Sequence, residues 1–358
     1  MAGNEHLQYR RPVNDAILAE FPLLWIHTGA GPQIGFGHLE RCMILAEELR
    51  DCMQVFFILR PEDQWSGGHL KAREFEYQNV DFPDLWRDPV NRPVAILIDT
   101  RLSGGIDAFI RTVRENNIPV LSLHDMGLNS LCSDVAVDCS IAAEYYGNLP
   151  AGTTFTGASY TVLDSSFRTL RKKPQRARKE IRSIFICLGG GDARKYFSRV
   201  LDGLRLWASG TERDIEVVGM RGFVNWGQDD FNIETLHPLH FRWESEPASG
   251  FLHNHDIAIT AGGISAYEVL CSGVPLLALS WDQLQQTAID RMEENGCCIN
   301  LGRGDDLTSE SLTSLLKKLD GDAAVREKLA RRGMQIVDGC GAKRVADIIR
   351  QTIAEKHL

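Results

Sequence analysis

Short, dense apolar runs alternate along the chain with longer stretches in which apolar residues recur every three or four positions. LLWIH at 23–27, QVFFIL at 54–59, VAILID at 94–99, IPVLSLHD at 118–125 and VAVD at 135–138 make one series. SIFIC at 183–187, IEVVGM at 215–220, IAIT at 257–260 and LLALS at 276–280 make a second. Each run is short enough for a buried strand, while Cys42, Leu45, Ala46 and Leu49 mark the inner stripe of a helix. Strands alternating with helices predict parallel sheets with right-handed crossovers, so the fold class is α/β. The basic segment RTLRKKPQRARKEIRS, 168–183, separates the two series and reads as a solvated linker. Two domains follow, 1–175 and 176–340, with a closing helix at 341–358 expected to pack back on the first. The first twenty residues read as a polar extension of undetermined role, with NDAILAEF as a short helix within it.

In such sheets ligands gather at the carboxyl ends of the strands, and the glycine turns fall there. After the first strand, Gly35 and Gly37 bracket Phe36, and His38 and Arg41 open the next helix on one face. Glycine lets the backbone turn sharply and a ligand come close, and the unpaired N–H groups at the helix start suit an anion. A titratable imidazole and a permanent cation then share the mouth of an anion site. The plain alternative makes His38 the first residue of the core stripe. Asp99, His124 and Asp125 end predicted strands and are candidates for the same crevice, or else ordinary turn residues.

The second half repeats this logic in LGGGD, with Gly190 and Gly191, and more specifically in AGGIS. Gly262 and Gly263 follow a strand directly, and a helix begins near Ser265. Ser265 and Glu268 fit a capping box. The same placement suits a diphosphate on the helix N–H groups and ribose hydroxyls on Glu268. Gln283 and Gln285 follow in a predicted loop beyond Asp282, with amides of the kind that bind sugar hydroxyls.

Composition narrows the partners. A net charge of −9 leaves no cation excess for nucleic acid. No apolar run approaches the roughly 20 residues that span a bilayer. Nine cysteines, an odd number without CxxC pairs, suit reduced thiols, and the start lacks the apolar core of a secretion signal, so a cytoplasmic setting is expected. The cluster His253, Asn254, His255, Asp256 lacks the spacing of a metal site, and no metal or other cofactor is expected.

IGFGHLERC, LGGGD and AGGISAYEVLCSGVP together resemble the UDP-sugar hydrolases of pseudaminic acid biosynthesis and their spore-coat-polysaccharide relatives. That family is related to the GT-B glycosyltransferases, including the peptidoglycan enzyme that transfers N-acetylglucosamine to lipid I. The resemblance runs from about Trp25 to about Gly302. It implies a GT-B-like pair of Rossmann-like domains facing a cleft, UDP held mainly by the second, and metal-independent hydrolysis that releases a free acetamido sugar. It places the catalytic histidine on His38. An inverting glycosyltransferase using the same UDP-sugar donor is the alternative. The particular sugar and the oligomeric state are not specified by these residues.

Overall fold

The computed structural model describes residues 21–31, 34–85, 92–100, 105–124, 131–143, 149, 151–172, 179–189, 193–220, 238–244 and 247–356. Asp125, Gly190, Gly191, the stretch with NDAILAEF and part of the basic segment lie outside them.

The first half builds a sheet from β1 (Leu23–His27), β2 (Gln54–Leu59), β3 (Glu76–Asn79), β4 (Ala95–Ile98), β5 (Val120–His124), β6 (Val135–Asp138) and β7 (Thr153–Thr156). Its order is β3-β2-β1-β4-β5-β6-β7, every pairing parallel. The second half builds another from β8 (Ser183–Cys187), β9 (Ile215–Met220), β10 (Leu239–Glu244), β11 (Ile257–Ala261), β12 (Leu276–Ser280) and β13 (Cys298–Arg303), in the order β10-β9-β8-β11-β12-β13. Both halves wind the same way. The chain starts mid-sheet, moves outward on one side, then crosses back and grows on the other, which leaves a crevice where the direction reverses. Those reversal points are β1 beside β4 and β8 beside β11.

Helices cover both sheet faces, so the central strands are apolar on each side and read as unbroken runs. Leu24, Ile26, Leu97 and Leu121 on one face share a core with Leu39, Leu45 and Leu49 of the Gly37–Leu49 helix. The last helix, Gly341–Lys356, adds Val345, Ala346, Ile349 and Ile353 to that same core, far from its own place in the sequence. The halves also meet beyond the carboxyl ends of β6 and β11. The Ile141 N–H donates to the Tyr267 hydroxyl at 3.1 Å, and Ala142 packs on Ala288 with Leu284 beside it.

Four strands lie beyond the nine apolar runs: β3, β7, β10 and β13, the last beginning at Cys298, which with Cys297 reads as a strand residue in the sequence. All four are sheet edges. The polar segment expected as a loop after Asp282 is instead the first turn of a helix, Gln283–Glu294. Asp282 accepts from the Gln285 N–H, which nucleates that turn and explains why a polar run is helical.

Candidate active site

The first crevice opens where β1 ends. Gly31 and Gly35 bond to each other across the turn, with Gly35 N donating to Gly31 O at 2.7 Å and Gly31 N returning at 3.3 Å. Gly35 has φ +75°, a left-handed conformation that a side chain would strain. Gly37 then starts the helix, and His38 and Arg41 point down its inner face, 5% and 7% exposed.

Asp99, immediately after β4, meets both. Its backbone N–H donates to His27 O, which fixes the carboxylate at the β1–β4 reversal point. The His38 imidazole Nδ1 lies 2.7 Å from Asp99 Oδ1, and the Arg41 guanidinium grips both carboxylate oxygens through Nε and a terminal nitrogen. Burial would raise the Asp99 carboxyl, but the charges of Arg41 and His38 and their hydrogen bonds outweigh it, holding Asp99 well below the usual carboxylate range. Asp99 is therefore an ionised acceptor, so Nδ1 carries the ring proton and donates it to Oδ1. In the unprotonated ring the basic lone pair is then on Nε2. Arg41 also lies 3.1 Å from Nδ1, a contact between two donors that the shared carboxylate holds together. The Cys42 thiol, 3.5 Å from Asp99, is pushed well up by burial and by that carboxylate, so it stays protonated.

His27 and His124 are of another kind. His27 bonds to Ile58 O through Nδ1, and burial lowers its pKa to about 4, so it is a neutral packing residue. His124 is buried in a chain in which Ser122 Oγ bonds both its Nε2 and Ser133 Oγ, each at 2.7 Å.

The second crevice holds the AGGIS turn. The helix runs from Ile264 to Ser272, with Gly263 in extended geometry as its cap and no side chain on the cap N–H groups. The expected capping box is not formed. Ser265 Oγ instead sits 3.3 Å from Cys187 Sγ at the end of β8, so the strand end and not the cap engages the hydroxyl. The start of this helix is thus left for another acceptor. A Cβ at Gly262 would meet Gln285 O and Ile289 at 3.0 Å, so the turn is pressed onto the Gln283–Glu294 helix. Gly263 faces open space. Glu268 is half-buried, and burial, then the charges of Glu40 and Asp164, push its carboxyl up to about 7. Glu40 is in the first turn of the helix that carries His38 and Arg41, so the two crevices are within electrostatic reach of each other. Gln283 is exposed, whereas Gln285 accepts from the Trp281 N–H at 3.0 Å.

The structure thus joins His38, Arg41 and Asp99 in one buried constellation and sets Gly262, Gly263, Ser265 and Glu268 around an open helix start. A second feature of the first crevice escaped the sequence reading. A cleft of about 260 Å³ runs along the strand ends, lined by Thr28, Gly29, Ala30, Gly31 and Ile34 after β1, Arg60, Glu62, Asp63 and Trp65 after β2, and Thr100 after β4. The signal was the position of Arg60–Trp65 at a strand carboxyl end, outside any glycine motif.

No family model matches the chain. The sequence is 25% identical over 352 residues to the spore coat polysaccharide biosynthesis protein SpsG of Bacillus subtilis (strain 168), spanning 93% of this chain and 99% of that protein. Among solved structures, MurG of Acinetobacter baumannii superposes with a TM-score of 0.65 at 15% identity, covering 92% of this chain and 99% of the other. MnaA of S. aureus in its UDP co-structure gives 0.63 at 11% identity, over 93% and 97%. Two parallel α/β sheets, of seven and six strands among the described residues, aligned with these proteins over nearly their whole lengths, give the chain a GT-B-like fold.

Proposed function

We propose that the chain is a UDP-sugar hydrolase: it cleaves a UDP-activated acetamido or deoxy sugar without a metal ion, releasing UDP and free sugar for surface-polysaccharide or nonulosonic acid synthesis. The buried His38–Asp99–Arg41 constellation carries this reading. Asp99 fixes the imidazole so that Nε2 takes a proton from water as its oxygen attacks the anomeric carbon. The sugar–oxygen bond breaks, and its electron pair leaves with the diphosphate. The N–H groups at Gly263–Ser265 stabilise that charge, a task otherwise given to a divalent cation. Arg41 neutralises Asp99 and so keeps the buried carboxylate from standing alone. The name of the B. subtilis relative supports a polysaccharide setting, and the UDP bound in the S. aureus co-structure supports a UDP leaving group. Transfer to an acceptor is the second reading, favoured by the cleft beside Thr28 and Thr100, which leaves room for a second molecule.

Incubation with a panel of UDP-sugars, with and without polyol or glycan acceptors, separates the two. Free sugar and UDP in equal amounts without acceptor are expected, and turnover should survive prolonged EDTA treatment. UDP release only with an acceptor overturns hydrolysis, and loss of turnover in EDTA restored by magnesium overturns metal independence.

Glu268 gives a pH signature. Its raised pKa means the folded, unliganded protein favours the protonated acid. Stability from this group is present below its ordinary value of 4.5 and lost as pH rises through about 7. Ribose hydroxyls donate to a carboxylate, so UDP binding should release a proton near neutral pH. Glu268→Gln should weaken UDP by about 1–2 kcal/mol and remove that proton release. Calorimetry in two buffers of different ionisation enthalpy reads both. Equal affinity and no proton release in either protein would take Glu268 off the nucleotide.

A further inference from the structure

We infer that the cleft between Gly29–Gly31 and Arg60–Trp65 is a pyranose-binding subsite, with Trp65 as its stacking platform. The inference rests on the UDP-sugar reading for its place in a reaction but not for its binding chemistry.

Trp65 is 47% exposed, one of three large apolar side chains so exposed among the described residues. Its position is built. Asp63 accepts from the N–H of Trp65 and of Ser66 and from the Ser66 hydroxyl, all on its own side of the cleft. It also accepts from the Ala30 N–H at 3.3 Å, on the opposite wall. Asn79 holds the carbonyls of Arg60 and Asp63 from below, at 3.0 and 2.8 Å. One carboxylate and one amide thus fix the cleft width. The indole edge lies against Gly31, where an added Cβ would sit 3.5 Å from Cδ1.

The lining has the mixed character that a sugar ring needs. Trp65 and Ile34 supply apolar surface for the C–H face of a pyranose. Glu62, Thr28, Thr100 and Arg60 supply acceptors and donors for its hydroxyls. The Arg60 guanidinium is held over the Phe82 ring, 5.3 Å from its centroid, so its direction is set before a ligand arrives. Among the described residues the buried Thr28 hydroxyl has only the Cys42 thiol as a partner, a weak one. An uncharged, polyhydroxylated ring with one apolar face satisfies this set.

The chain links the cleft to the constellation. Thr100 follows Asp99 directly, and Phe36, which precedes Gly37 and His38, packs edge-on against His69 at 4.4 Å, one turn into the helix that follows Trp65. A ring seated here can come from either of two sources, the sugar carried by UDP or an acceptor glycan.

Wild type, Trp65→Ala and Trp65→Phe would be compared in two measurements. In the first, saturation-transfer NMR with the methyl glycosides of N-acetylglucosamine and rhamnose reports ring binding with no nucleotide present. Signals should be strong for wild type, retained for the Phe variant and lost for the Ala variant at an unchanged melting temperature. In the second, KM for a UDP-sugar should rise about 10-fold in Trp65→Ala with the UDP inhibition constant unchanged, the weight of one lost aromatic contact. A rise without acceptor assigns the ring to the donor sugar. A rise confined to acceptor-dependent turnover assigns it to the acceptor. Wild-type behaviour of a folded Trp65→Ala protein in both measurements overturns the subsite. Trp65-dependent glycoside binding in a protein that consumes no UDP-sugar leaves the subsite standing and overturns the functional reading instead.

Discussion

Replacing His38 by Asn should lower the turnover of a UDP-sugar about 10²–10⁴-fold, the usual weight of one acid–base group, while UDP affinity holds. Asn is chosen because its amide nitrogen can still donate to Asp99 where Nδ1 does at 2.7 Å. The interaction with the carboxylate survives, and only the lone pair that would accept a proton is gone. UDP affinity is expected to hold because the proposed nucleotide site is the Gly263 helix start, in the other half of the chain. A packing role for His38 predicts the reverse. Its side chain is 5% exposed and borders Leu39 and Cys42, so shrinking it would then open a void and lower the melting temperature. A melting curve and a turnover assay on one variant decide. A destabilised protein of full specific activity would remove His38 from the reaction.

The parts legible in the sequence were those whose cause is local. Central strands buried on both faces must be apolar throughout, so nine runs stood out. The four edge strands did not, because one side of an edge has no partner strand and its residues meet water. Glu76–Asn79 and Thr153–Thr156 are polar, mostly exposed tetrapeptides with no hydrophobic signature. In the site, the turn at Gly35 and the pairing of His38 with Arg41 follow from helical spacing. Their partner does not. Asp99 lies 58 residues beyond Arg41, and only the return of β4 to the side of β1 brings it underneath. Its place at a strand end was readable, but its role as the common acceptor is a property of the sheet order. The capping box failed for a similar reason. Ser265 and Glu268 have the right spacing, but Cys187 from another strand engages the hydroxyl and burial isolates the carboxyl. The cleft of Trp65 is assembled from three separate loops, and no single segment announces it.

Asp99→Asn carries the largest expected loss of stability. The carboxylate is fully buried and accepts from Arg41 through both oxygens and from His38. Asn keeps the shape but removes the charge, and it turns an N–H₂ group toward donors. A guanidinium 7% exposed then loses this carboxylate. Removing one partner of such a buried pair costs on the order of 3–5 kcal/mol, and loss of the acceptor that fixes the imidazole should lower the rate of the remaining folded protein about 10²-fold or more. The pH dependence identifies the cause. Because the folded-state pKa of Asp99 is depressed below its ordinary value of 3.8, its contribution is present above that value and lost as pH falls further toward the folded-state pKa. Denaturant titrations of both proteins should give a constant difference from about pH 7 to 5 and a narrowing one below about 4. There wild type begins to pay for keeping, or giving up, the charge that the variant lacks. A difference that stays constant through the acid range would mean that Asp99 acts by its volume alone, and the imidazole would then need another group to hold it.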